Sequence, residues 1–160
     1  MLWNGPESVS ELARTYGKRW HEEMRQGASY SFAVEEKGKP GIIGCIQLKP
    51  AKYERQYEFG YWLGKPYWNR GYMAEALGLL CFFGFKNLKA DVIMGSAFTS
   101  NHASRRVMEK NGFLLEGTLR RQILKNNQWA DLWHLSLLRE EWESHRIEPE
   151  YEKVLPLNPS

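Results

Sequence analysis

The stretch from Gly60 to Ala76 reads Gly-Tyr-Trp-Leu-Gly-Lys-Pro-Tyr-Trp-Asn-Arg-Gly-Tyr-Met-Ala-Glu-Ala, and it holds the residues best suited to chemistry. An apolar, strand-like segment ends in Gly64-Lys65-Pro66, and a helix opens at Arg70-Gly71. The first N–H groups of a helix have no partner inside it and carry about half a positive charge. Gly71 brings no side chain between that helix end and a ligand, so the chemistry on offer is anion binding, with phosphate the best match. Taken alone Gly71 is equally a turn glycine, and Arg70 is either an anion partner or a solvated cation. A second polar set follows at Asn101-His102-Ala103-Ser104 and Asn111-Gly112-Phe113. Asn101 is suited to cap a helix N-terminus, and Gly112 to end that helix in the left-handed conformation.

The elements that must position these residues are legible from periodicity. Val9, Leu12, Ala13, Tyr16, Trp20 and Met24 recur at helical spacing, and Ser8 with Glu11 forms a capping box, which predicts a helix from Val9 to Gln26. Ser29 to Glu35 and Ile42 to Leu48 are strand-like around Lys37-Gly38-Lys39-Pro40-Gly41, a hairpin pattern. A polar loop from Ala51 to Arg55 leads to a third strand, Gln56 to Leu63, and then to the helix Gly71 to Lys86, where Gly78 and Gly84 permit close packing on a sheet. Asp91 to Phe98 is a continuous apolar run, expected to be a buried strand parallel to the third because a helix connects them. A short helix from His102 to Lys110 and a closing hairpin, Phe113 to Leu124 and Trp129 to Leu137, complete the order. The whole is an α/β (α+β) pattern, one domain over residues 1–144 and a peripheral, Pro-bearing tail over 145–160.

Composition narrows the class. Seven Trp and eight Tyr suit a sheet-rich core. A net charge of +3 is compatible with an anionic ligand and too small and dispersed for a nucleic-acid binder. Cys45 and Cys81 lie in apolar runs without metal-ligand spacing, so they read as buried reduced thiols, no metal is implied, and a cytoplasmic protein is expected. No apolar stretch approaches eighteen residues and no signal peptide is seen, so no membrane partner is expected.

The Gly60–Ala76 run followed by the Asn101–Ser104 and Asn111–Phe113 segments resembles the coenzyme-binding motifs of the GNAT acetyltransferases, and most of all the ribosomal-protein N-terminal acetyltransferases among them. Matching residues extend from about Ser29 to Trp142. The resemblance implies the GNAT fold, a central mixed and mostly antiparallel sheet flanked by helices and splayed between its third and fourth strands here. It implies acetyl-CoA as coenzyme. The main chain of Tyr61, Trp62 and Leu63 would then meet pantetheine, and the turn Trp68, Asn69, Arg70, Gly71, Tyr72, Met73 and Ala74 would hold the pyrophosphate. Asn101 would touch pantetheine, Ser104 would protonate the departing thiolate, and Arg105 or Arg106 would meet the adenosine-side phosphate. His102 falls outside that set and is assigned a surface or packing role, and Trp62, Trp129 and Trp133 are assigned to core or pocket wall.

Three departures from the family pattern stand out. Asn69 and Met73 replace smaller residues, so the Met73 side chain must point away from the anion. The strand and helix with which relatives open are expected to be missing before this segment: either the start is truncated, or the sheet edge near Ser29 to Val34, with Phe32 and Val34, is left for a second copy in a homodimer or for the N-terminal segment or the tail to cover. Some relatives place a Glu base where Ile123 stands, and Glu58, beside the pantetheine strand, is the replacement candidate, acting directly or through water. The expected function is transfer of acetyl from acetyl-CoA to a small-molecule or peptide amine. The alternatives are a non-catalytic module that binds coenzyme A or acyl-CoA and, more distantly, a nucleic-acid binder.

Overall fold

The computed structural model describes residues 9–145, with side chains from residue 17 onward. The capping box at Ser8 and the tail beyond His145 lie outside the described residues. Helix α1, Val9–Arg25, leads into the antiparallel strands β1, Tyr30–Glu35, and β2, Ile42–Pro50, and then β3, Gln56–Leu63. A single 3-10 turn over Lys65–Tyr67 precedes helix α2, Tyr72–Lys86, which is followed by β4, Val92–Phe98, and helix α3, His102–Lys110. The chain closes with β5, Leu114–Lys125, β6, Gln128–Leu138, and a short helix α4, Arg139–Ser144. Among the described residues no helix is long and apolar enough to cross a membrane.

The six strands form one mixed sheet in the order β1-β2-β3-β4-β6-β5. Every pair is antiparallel except β3 with β4, because α2 carries the chain back to the same end of the sheet. One face is covered by α2, α3 and α4. Ile46, Leu48, Phe59, Ile93, Leu135 and Leu137 from the strands meet Met73, Leu77, Leu80 and Phe85 of α2 and Met108 of α3. Gly84 brings α2 close to this layer, since a Cβ there would lie 2.7 Å from Ile93 Cδ1 and 3.1 Å from Leu48 Cδ2.

Helix α4 was not foreseen, because six residues are too few to show helical periodicity. It is held by a local cap and by tertiary contacts. The Trp142 ring stacks on Phe85 at 5.0 Å, the Glu141 carboxylate accepts from the Leu138 N–H at 2.9 Å, and Arg139 donates to the carbonyls of Phe85 and Ala90. The hairpin between β5 and β6 turns on Asn126 and Asn127, both at positive φ (49° and 58°), the backbone of a tight two-residue turn. Phe32 and Val34 are not the free edge residues expected of β1. They are half-buried and face α2, with Phe32 edge-on to Phe83 at 5.2 Å. Beside them a groove of about 440 Å³ runs between β1 and α2, lined by Phe32, Val34, Glu36, Tyr72, Leu79 and Phe83.

Candidate functional site

The parallel ladder between β3 and β4 is only three residue pairs long, ending at Glu58 opposite Met94. Beyond it both strands continue apart, β3 to Leu63 along β2 and β4 to Phe98 along β6. The Phe59 ring fills the start of the split on the α2 face. It is edge-on to Phe113 at 5.3 Å and lies where Gly95 would carry a Cβ, which would come within 2.4 Å of the ring. Gly64 N–H donates to Ile43 O at 2.9 Å, so by strand alternation the main-chain groups of Tyr61 and Leu63 point away from β2, into the split. Trp68 uses one of them, its indole Nε1–H donating to Leu63 O at 2.8 Å. Trp62 alternates the other way, opposite Cys45, so its main chain belongs to the β2 ladder and only the main chains of Tyr61 and Leu63 open onto the split.

At the mouth of the split stands the N-terminus of α2. Gly71 caps it at φ 86° with nothing within 4 Å of where a Cβ would be, and no side chain caps the helix. The first intrahelical bond of this end runs from Glu75 N–H to Gly71 O, which leaves the N–H groups of Tyr72, Met73 and Ala74 as free donors. Asn69, where the family prefers glycine, sits at φ 60°, a conformation Asn tolerates better than most side chains. Met73 is 4% exposed and part of the core, so its side chain points inward, away from the open helix end at Gly71. Arg70 is exposed. A residue whose role sequence reasoning missed ties the seat to α3. Asn111 donates from Nδ2 to Ala74 O at 2.9 Å and to Val107 O at 3.0 Å, bracing the first turn of α2.

Helix α3 opens as expected, with Asn101 Oδ1 accepting from Ser104 N–H at 3.0 Å. Ser104 is half-buried, and its hydroxyl faces the buried hydroxyl of Tyr61 without the geometry of a full hydrogen bond. Burial raises the Tyr61 phenol above its usual range, and Ser104 partly offsets that. Arg105 is engaged, paired with Glu109 at 2.7 Å and lying over the Trp133 ring at 4.6 Å. Arg106 is exposed and has no ion pair among the described residues. His102 packs against Trp133 at 5.1 Å, and Trp129 is 56% exposed at the hairpin tip, outside the core.

On the sheet face away from α2, Glu58 is exposed at the last rung before the split, between Lys49 of β2 and Met94 of β4. Ile123 sits near the hairpin turn opposite Ala130, on the strand farthest from α1's edge and two strands from the split. The same face carries a pair that sequence reading did not single out, because its members are 38 residues apart: Ser96 Oγ and His134 Nδ1 at 3.0 Å, across β4 and β6. Cys45 and Cys81 are buried and unpaired, and burial pushes the Cys45 thiol up to about 11 and Cys81 higher still, the opposite of a nucleophile's activation.

Residues 1–114 match the family described as an acetyltransferase (GNAT) domain. The uncharacterised N-acetyltransferase YnaD of Bacillus subtilis is 33% identical over 111 residues, covering 69% of this chain and 65% of its own length. The putative ribosomal N-acetyltransferase YdaF of the same organism is 35% identical over 106 residues, covering 66% of this chain and 58% of its own length. The chain therefore spans about two-thirds or less of these relatives. A solved structure of a probable acetyltransferase shares the fold with a TM-score of 0.76 and 28% identity, over 88% of this chain and 79% of that one.

Proposed function

The chain belongs to the GNAT acetyltransferase family, and from that premise we propose that it transfers an acetyl group from acetyl-CoA to a primary amine in the cytoplasm. The observation that carries the reading is the conjunction of a split strand pair with an uncapped helix N-terminus at its mouth. An extended arm bearing amides needs unpaired main-chain groups, and Tyr61 and Leu63 offer them in the split. A pyrophosphate needs convergent donors, and the N–H groups of Tyr72, Met73 and Ala74 converge at a glycine that leaves the approach open. When bound, the coenzyme supplies an acetyl group activated as a thioester.

The chain's own residues then divide the remaining work. The N–H groups lining the split are set to polarise the reacting carbonyl oxygen, a contribution that grows as charge develops on it. Ser104 Oγ, beside the Tyr61 hydroxyl, is the proton source for the leaving sulfur. Glu58 places a carboxylate on the acceptor side, where it attracts the ammonium form of an incoming amine.

Acceptor basicity favours an α-amine, in keeping with the ribosomal acceptor in YdaF's name. A protein α-amino group of pKa about 7.7–8.0 is roughly one-tenth neutral at pH 7, while an alkyl amine near 10.4 is neutral less than about 0.1% of the time, a gap worth about 3.4 kcal/mol. The test is thiol release from acetyl-CoA against a panel of N-terminal peptides, amino acids, lysine and spermidine. We expect the highest kcat/KM at pH 7 with a free α-amine. Faster acetylation of spermidine or a lysine side chain would overturn that preference. Calorimetric binding of coenzyme A with no thiol release for any amine would favour the non-catalytic module instead.

A further inference from the structure

We propose that the Ser96–His134 pair is the proton-accepting site for the acceptor amine. The proposal rests on the acetyl-transfer reading above and assigns residues to its acceptor side. Along β4, Ile93, Gly95 and Ala97 point to the core under α2, so Met94 and Ser96 belong to the opposite face. Met94 is the last residue of β4 paired with β3, and Ser96 is the next side chain on that face, at the vertex where the strands part. Its neighbour on β3 at that level, Gly60, contributes no side chain. Ser96 pairs in register with His134 on β6, and with the imidazole proton on Nε2 the serine hydroxyl donates to Nδ1 at 3.0 Å. Both are half-buried, so the pair is shielded yet reachable from the split.

The charged groups nearest the pair lie on the neighbouring strands. Glu58 lies one strand and two residues away, about 8 Å by strand geometry, with Lys49 one strand beyond it. On β5, Glu116 is already committed, accepting from the Ser136 hydroxyl, and Arg120 and Arg121 stand at the bulge past Leu119. Helix α1 packs on β1 at the far edge of the sheet, where Arg19 pairs with Glu23 and Arg25 with Glu22. Imidazole is the side chain whose ordinary titration lies between pH 5 and 8, so it can take a proton from an ammonium and return it to water within one turnover.

The step balances simply. One N–H bond of the ammonium breaks and its proton passes to Ser96 Oγ, while the serine's own proton moves to His134 Nδ1. Serine is neutral before and after, imidazole becomes imidazolium, and the amine keeps the electron pair with which it attacks. The imidazolium then loses a proton to solvent.

The experiment is the pH profile of kcat/KM from pH 5.5 to 9 for the wild type, His134→Gln, Ser96→Ala and Glu58→Gln, each with two amines of different basicity. Coenzyme A binding by calorimetry and thermal unfolding are followed in parallel. In the wild type we expect an acid limb whose position does not move when the amine is exchanged. In His134→Gln that limb disappears and kcat/KM at pH 7 falls about 10²-fold, the usual share of a general base, with coenzyme A affinity unchanged. Glu58→Gln keeps the limb. Should His134→Gln not fold, Ser96→Ala carries the test, with a comparable fall expected and full rate overturning the proposal. An acid limb that survives in His134→Gln, or vanishes in Glu58→Gln, overturns it while leaving acetyl transfer standing. A wild type that turns over no amine refutes the acetyl-transfer reading, and this assignment falls with it.

Discussion

One end of the sheet and its middle invert the usual link between strand pairing and burial. The β5–β6 ribbon is the longest ladder, with strands of 12 and 11 residues, yet β5 has no buried residue and Leu114, Leu119, Leu124 and Trp129 are all more than 40% exposed. The β3–β4 junction has three residue pairs, and around it gather Phe59, Ile93, Phe113, Met73 of α2 and Met108 of α3. Hydrogen bonds in the ribbon replace bonds to water and contribute little net stability, whereas apolar surface removed from water around the split contributes about 25 cal/mol per Å². The place where pairing stops is thus both the best packed part of the sheet and the place where main-chain groups are left for a ligand.

The sharpest way to break this comparison is to truncate one aromatic residue on each side. Phe59→Ala should cost about 3–5 kcal/mol in urea unfolding, since it removes the ring that fills the split. Trp129→Ala should stay within about 0.5 kcal/mol, as for other exposed positions. Equal losses would mean that the ribbon contributes as much as the split. Next, Met73→Ala tests whether the seat is held by the core beneath it. It should lower stability by about 2–5 kcal/mol while leaving coenzyme A affinity of the folded protein unchanged by calorimetry. Affinity that rises would show that the Met73 side chain obstructs the anion after all.

Gly71→Val separates binding from folding in the opposite sense. The position is open to solvent, so packing is unaffected, but φ 86° strains a branched residue by about 1–2 kcal/mol and the side chain stands in the anion's path. Coenzyme A binding should weaken by about 1.5–3 kcal/mol for each charged hydrogen bond lost, and undiminished binding would remove the coenzyme from this seat. The smallest effect concerns the thiols, which lie on β2 and α2 and are absent from the ribbon. Burial raises both above an unfolded thiol's value of about 8.5, Cys45 to about 11, so the folded state keeps protons that the unfolded state gives up. Stability should therefore decline as pH rises from about 8.5 toward 11, and Cys45→Ala should flatten part of that slope. Alkylation at pH 8 should proceed only as fast as global unfolding. Rapid labelling of the folded protein would show that the split region opens more easily than its packing implies.

Much of the fold was legible because local rules dominate it. The strand Gln56–Leu63 and the helix His102–Lys110 end where their sequence signals end, the latter with Asn101 as its cap. Helix α4 was not, since Arg139 and Trp142 find partners on α2 and in the loop before β4, far from them in the chain. The uncapped helix start at Gly71 was readable for the same local reason. The split was visible only through a resemblance, because periodicity gives a strand's length and not where its ladder stops.

From residue types and spacing alone, then, came the order of elements, the helix that opens at Gly71, and the burial of Cys45 and Cys81, because backbone geometry and apolar periodicity act over a few residues. The tertiary structure decided what depends on residues far apart in the chain meeting. It turned Met73 into the core and set the Phe59 ring over Gly95 at the vertex of the split. It braced Ala74 from Asn111 and brought Ser96 to His134, juxtapositions fixed by strand register and helix packing, which no local pattern encodes.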